Sequence, residues 1–246
     1  MHAKTVVRAL GALALLATCG GEAEAQIGGI RRAAQRAAEG PSPEVRRLLA
    51  RIDSTRAKFD RATYLLSQSS LVMEAVVATE ERRAQIRREL EGAGTLEQRT
   101  GENRVQLNAE DRAANLEQAT QQRQFEQRQL SQAQSSNVSV AAFNAALAAV
   151  IDVEALNEAR QLIGEASSTA QSLTSDPANA TAAGRLQRAA TTDLPAIVTA
   201  VPLQARLASA IAGAAGQARS ANQAVQVTEA APATTAAPRA IDINAI

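Results

Sequence analysis

The stretch VRRLLARIDSTRAKFDRATYLLSQSSLVMEAV, residues 45–76, carries an apolar residue at every seventh position. The five positions of this repeat are Val45, Ile52, Phe59, Leu66 and Met73. A seven-residue apolar repeat of this length is typical of a helix that packs along its whole length against another helix. Ser42 and Pro43 precede it, and both residue types are favoured at helix starts. The pattern predicts one long helix over residues 43–91.

A second apolar helix is predicted over residues 140–174. Its large side chains recur every eleven positions, at Val140, Ile151, Leu162 and Leu173. An eleven-residue spacing keeps one face of a nearly straight helix turned toward the same neighbour. The sequence has 57 alanines among its 246 residues. Four of them lie on this face, where a small side chain lets a neighbouring helix approach closely: Ala155, Ala159, Ala166 and Ala170.

The rest of the sequence predicts helices that are interrupted at proline and glycine residues. We expect a polar, glutamine-rich helix over 109–134 that projects into solvent, a turn at 135–139, a short helix over 178–191 and a last helix from Asp193 to about residue 226. The strand pattern of alternating β-branched residues is absent from the sequence. The fold class is therefore predicted to be all-α, an elongated antiparallel helical bundle or coiled-coil hairpin of about four helices.

The first 25 residues resemble an export signal. Lys4 and Arg8 give a basic start, and the apolar run ALGALALLA follows at residues 9–17. The small residues Ala23 and Ala25 then fit the pattern for cleavage before Gln26. The apolar run is too short to span a bilayer, so we expect export rather than a membrane anchor.

A second interpretation of the same region stays open. The residues LATCG at 16–20 resemble the lipobox of bacterial lipoproteins, in which the cysteine is lipidated and becomes the first residue of the mature chain. Cys19 is the only cysteine of the sequence. Thr18 differs from the glycine, alanine or serine that is usual before that cysteine. The resemblance implies a membrane anchor through Cys19.

Four segments follow from these observations. They are a signal peptide over 1–25, a basic N-terminal segment over 26–41, a helical bundle over 42–228 and a tail over 229–246. The tail, EAAPATTAAPRAIDINAI, begins with the composition of a flexible, semi-extended linker.

Three parts of the chain are candidate partner surfaces. The basic segment carries three arginines that suit an acidic partner or an anionic lipid surface: Arg31, Arg32 and Arg36. The tail ends with isoleucines that could add a strand to a partner's sheet: Ile241, Ile243 and Ile246. The alternative is a terminus that is disordered or packed on its own chain. The glutamine-rich residues 109–134 are a third surface suited to a partner.

The reactive side chains needed for most catalysis are scarce. His2 and Cys19 are the only histidine and cysteine, and both lie within the predicted leader. A serine hydrolase needs a base, and structural zinc sites need cysteine or histidine. We expect no catalytic residue, no metal site and no cofactor. The net charge of +1 and the low aromatic content also argue against nucleic acid as a partner.

The sequence thus predicts an exported, non-catalytic helical protein that acts by protein–protein contact in the bacterial envelope. It would be periplasmic or secreted and would serve as an accessory subunit or structural tether, with self-association left open. The alternative is a lipoprotein held at the membrane surface through Cys19. Residues 194–216 are long enough for a bilayer, but Arg206 in their middle argues against a membrane span.

Mass spectrometry of the mature protein separates the two interpretations of the N-terminus. Signal cleavage predicts a free N-terminus at Gln26, whereas lipidation predicts an acylated Cys19. The substitution Cys19→Ser should release a lipoprotein from the membrane fraction and should leave the fractionation of a cleaved protein unchanged.

Overall fold

The structure, a computed structural model, describes residues 41–94, 107–174, 179–227 and 231–246. Within these ranges the chain is all-α and contains no strand. The helices are α1 Pro43–Val77, α2 Glu80–Gly92, α3 Ala109–Gln121, α4 Gln132–Leu173, α5 Ala180–Arg188 and α6 Leu194–Ala221. A π-helical turn, Ala189–Asp193, joins α5 to α6, and a 3-10 turn covers Ile243–Ala245.

The predicted helix over 43–91 is two helices, so its continuity was wrong. Its start is as expected: the Ser42 side chain accepts a hydrogen bond from the backbone N–H of Val45. The chain then becomes extended at Ala78, and the side chain of Thr79 accepts from the N–H of Arg82 to cap α2. A threonine that can cap a new helix competes with continuation of the old one.

The predicted turn at residues 135–139 is helical. The helix begins earlier because Ser131 and Gln134 form a reciprocal capping box, in which each side chain binds the other residue's backbone N–H. The preceding helix is shorter than expected and ends at Gln121. Arg123 then adopts a left-handed backbone with φ 55°, which turns the chain away from the helix axis.

The predicted break at Asp193 is absent. The π-helical turn carries the helix through this position, and Pro195 lies in the first turn of α6, where its missing N–H is tolerated. Pro202 lies inside α6 on its exposed side. The two predicted segments are thus one continuous helical run that ends at Ala221.

The core follows the two apolar repeats. Helix α4 packs most extensively on α1 and α6, and α3 packs on α6. Of the seven-residue repeat, Phe59 is half-buried and the other four side chains are buried: Val45, Ile52, Leu66 and Met73. The four alanines predicted on the face of α4 are all buried as well. Because alanine adds little bulk, these helices lie close together and share a thin core.

The glutamine-rich region does not project into solvent, which corrects that prediction. Leu116 in α3 and Phe125 in the following turn are buried in the core. Arg206 of α6 also holds Glu117 of α3 through two hydrogen bonds of 2.9 and 2.6 Å. Most glutamines of this region are exposed, whereas the large apolar side chains of Leu116 and Phe125 pack into the core.

The substitution Leu66→Ala tests this core. Leu66 is fully buried, so we expect the free energy of unfolding to fall by about 2–5 kcal/mol, measured by chemical denaturation. Leu203→Ala is the matched control, since Leu203 is 39% exposed, and its cost should stay below about 1 kcal/mol. Equal losses for the two variants would contradict the packing described for α1.

Candidate functional site

The described part of the tail is not a free linker but packs on its own chain, which was one of the interpretations of its sequence. Residues 231–246 lie against the helices, where Ile246 is 8% exposed and Ile241 and Ile243 are half-buried against the main apolar cluster. Four side chains hold this segment: Arg61 of α1, Arg87 of α2, and Asn137 and Asn144 of α4. We call the surface that these four side chains form the tail groove.

Two asparagines of α4 bind the tail in the same way. The Asn137 side-chain N–H donates to the carbonyl of Asp242 at 2.7 Å, and the Asp242 backbone N–H donates to Asn137 Oδ1 at 2.9 Å. Asn144 repeats this pair on Arg239, with both bonds at 2.9 Å. Each side-chain amide therefore occupies the place that a neighbouring strand has in a sheet.

The burial of these asparagines makes the pairing important. Asn137 and Asn144 are 3% and 1% exposed. A buried amide without partners costs about 1–3 kcal/mol for each unsatisfied group. Without the tail, both side chains would need water or another chain as partner. In the structure, the main chain of the tail supplies the partners of both amides.

Two arginines extend the same kind of contact. Arg61 donates to the carbonyls of Thr234 and Ala236 at 3.3 and 2.6 Å. Arg87 donates through Nε and Nη2 to the main-chain oxygen of Ile246 at 3.3 and 3.2 Å. Main-chain atoms are thus the targets along the whole groove.

Side-chain contacts of the tail are fewer. The Arg239 guanidinium lies 3.8 Å from the centre of the Phe143 ring, a cation–π contact. Ile246 fills an apolar position in the core. The identity of most tail side chains therefore matters less to the groove than the path of the main chain.

A cavity of about 310 Å³ adjoins the end of the groove, next to Ala245 and Ile246. Its polar lining consists of arginines and amides: Arg83, Gln127, Arg128, Gln129, Gln134 and Asn137. Its lining includes no acidic residue. Arg83 is paired with Glu80 at 2.8 Å, and Arg128 donates to the carbonyl of Val77 at 3.2 Å. The cavity is thus rich in hydrogen-bond donors, and within the described residues Arg128 is the arginine of its lining that lacks the acidic partner that Arg83 has in Glu80.

A separate polar cluster lies inside the helices. Asp152 of α4 is 1% exposed and faces Gln204 of α6. With its nitrogen toward Asp152, the Gln204 amide donates to both carboxyl oxygens at 3.0 and 2.8 Å and accepts from Thr63 at 2.8 Å. Burial raises the pKa of Asp152 to about 8, while the amide donor acts in the opposite direction. The cluster ties α1, α4 and α6 together in one register.

Lys58 holds the outer edge of the α1–α4 interface. Its ammonium lies 2.5 Å from Glu154 and 2.6 Å from Glu158. Burial acts to lower the pKa of Lys58, but the hydrogen bonds to the two carboxylates outweigh it and the pKa is raised. The side chain is therefore a structural cation.

The residues proposed from the sequence divide into two groups. Six lie outside the described residues: Cys19, Ala25, Gln26, Arg31, Arg32 and Arg36. The three tail isoleucines are placed on the helices as described above. In the described ranges, no group of three or more histidine, cysteine, aspartate or glutamate side chains is arranged to hold a metal ion.

The groove residues were missed from the sequence. Asn137 and Asn144 stand two turns apart on a helix face that is otherwise apolar. Buried asparagines at this spacing were the available signal, because such side chains require partners. Nothing in the sequence indicated that those partners lie about a hundred residues later.

Two helical runs, Gln132–Leu173 and Ala180–Ala221, are long and apolar enough by length and composition to cross a membrane. In the first, 56% of the most apolar window is buried against other helices, and in the second 39% is. Core helices pass the same test, so these features do not establish a span. No family model, curated protein or solved structure matches the chain.

Asp152 predicts a pH dependence of stability. The pKa of Asp152 is higher in the folded than in the unfolded chain, so protonation of this side chain stabilises the fold. This contribution to the free energy of unfolding is complete below about pH 4 and is lost as the pH rises to about 8. We expect Asp152→Asn to remove that part of the slope and to raise the free energy of unfolding at pH 8 by about 1–3 kcal/mol. Thermal unfolding between pH 4 and 9 measures both effects, and Asp53→Asn, an exposed position, is the control.

Proposed function

We propose that this is an exported, non-catalytic helical protein that acts by protein–protein contact in the bacterial envelope. It would be periplasmic or secreted and would serve as an accessory subunit or a structural tether. The observation that supports this most is the tail groove. Its four side chains hold a length of polypeptide by main-chain atoms, which is a way of binding protein rather than of transforming a small molecule.

We further propose an elongated antiparallel arrangement of the helices. With 35 and 42 residues, α1 and α4 are about 52 and 63 Å long at 1.5 Å per residue. Long helices packed side by side present extended surfaces at a low cost in chain length. Such a shape suits a tether or a subunit that lies along a larger complex.

The alternative keeps the same fold at the membrane surface. The resemblance of residues 16–20 to a lipobox supports a lipoprotein anchored through Cys19. Contact with protein partners is compatible with this alternative, which differs in how the chain is retained in the envelope.

Site-specific photo-crosslinking in the producing cells tests the proposal. A photoreactive residue at Ala240, an exposed position of the tail, should give a defined adduct with one or a few envelope proteins. The same residue at Gln171 is the control, since α4 carries it roughly 40 Å along the helix axis from Asn144. Absence of any adduct at Ala240, or substrate turnover by the purified chain, would contradict the proposal.

A further inference from the structure

We propose that the tail groove is a binding site for an extended segment of a protein partner, and that the tail is the intramolecular occupant displaced by this segment. The inference rests on the proposed function, because it names the part of a partner that this protein would contact. The segment is one with an accessible main chain, an apolar residue in the place of Ile246 and a carboxylate close beyond it.

The spacing of the asparagines matches an extended chain. Asn137 and Asn144 are seven residues apart on α4, which corresponds to about 10.5 Å along the helix. Their partners Asp242 and Arg239 are three residues apart, and three extended residues span about 10 Å. The two distances are similar, so the two amides of α4 reach main-chain groups that lie three residues apart in the tail.

Recognition through the main chain does not depend on one sequence. The groove contacts Thr234, Ala236, Arg239, Asp242 and Ile246 by backbone oxygen or nitrogen. Any residue other than proline can offer a carbonyl and an N–H at the two asparagine positions. A foreign segment can therefore make the hydrogen bonds that the tail makes.

Charge defines the partner further. The cavity beside Ile246 is lined by Arg128, by Arg83, which is paired with Glu80, and by several amides, and its lining contains no acidic residue. A segment that continues past the position of Ile246 with an acidic residue would place a carboxylate there. That contact supplies a charge-assisted hydrogen bond.

The tail protects the groove in the absence of a partner. A tethered segment has an effective concentration in the millimolar range, so a free peptide of the same affinity competes poorly. The partner segment must therefore bind better than the tail or be held nearby. The acidic contact in the cavity is one source of such an advantage.

The test opens the groove without removing any part of the chain. In the double variant R239P/D242P, the prolines remove the two N–H groups that donate to Asn144 and Asn137. The backbone φ of Asp242 is −81°, close to the value that proline prefers. A fluorescein-labelled peptide with the sequence of residues 231–246 should bind this variant about tenfold or more tightly than it binds the unaltered chain, measured by anisotropy.

Changes to the peptide show whether the tail groove recognises main-chain or side-chain atoms. Methylating the backbone nitrogens equivalent to Arg239 and Asp242 should weaken binding about tenfold or more, because two donors are lost. Replacing those two side chains by alanine should weaken it by less than about fivefold. Equal losses for the two peptides would overturn the proposal, and this comparison needs no alteration of the helices.

Changes to the protein locate the site. In the open variant, Asn144→Ala should weaken peptide binding about tenfold. Asn157→Ala is the matched control, since Asn157 is an exposed asparagine of the same helix, and it should have no effect. An equal effect of both substitutions would place the peptide elsewhere.

The partner's charge is tested with two longer peptides. Adding two glutamates after the position of Ile246 should tighten binding several-fold at low salt compared with adding two lysines. If the unaltered chain is instead a dimer that Asn144→Ala makes monomeric, the occupant is the tail of a second copy and the proposal is wrong. Crosslinked partners in cells with no peptide binding would overturn this inference alone and leave the proposed function standing.

Discussion

The close packing of α4 between α1 and α6 is the constraint on which the other features depend. Small side chains are buried on the facing surfaces, as at Ala155 and Ala159, and let the helices pack closely. Any polar residue in this interface must then find its partner within the protein. Asp152 finds Gln204, whereas Asn137 and Asn144 find main-chain atoms of the tail. The hydrogen bonds of these buried polar side chains are thus a consequence of the close packing of the apolar ones.

The apolar periodicity of the sequence predicted most of the buried faces of α1 and α4, although Phe59, Val140 and Leu173 are only half-buried. Helix ends were predicted less well. The break at Ala78 and the early start at Ser131 depend on capping by Thr79 and Gln134, and capping is decided by competition among several polar side chains. The glutamine-rich region was wrongly predicted to project into solvent. Although most of its residues are polar, the buried side chains of Leu116 and Phe125 hold it against the core.

The groove was beyond prediction from sequence for a different reason. Its hydrogen bonds join α4 to residues about a hundred positions later, and no local pattern encodes such a pairing. The sequence singled out the isoleucines of the tail, but their environment depends on where α1, α2 and α4 meet. The same holds for Arg61 and Arg87, which look like ordinary surface arginines until the tail lies beside them.

The contact between Arg61 and Ala236 joins residues 175 positions apart. Closing so long a loop is slow compared with pairing neighbouring helices. We therefore expect this segment to bind after the helices have packed together. Until then the amides of α4 remain hydrated, and the nascent molecule passes through a stage in which its helices are assembled and this surface is still bare.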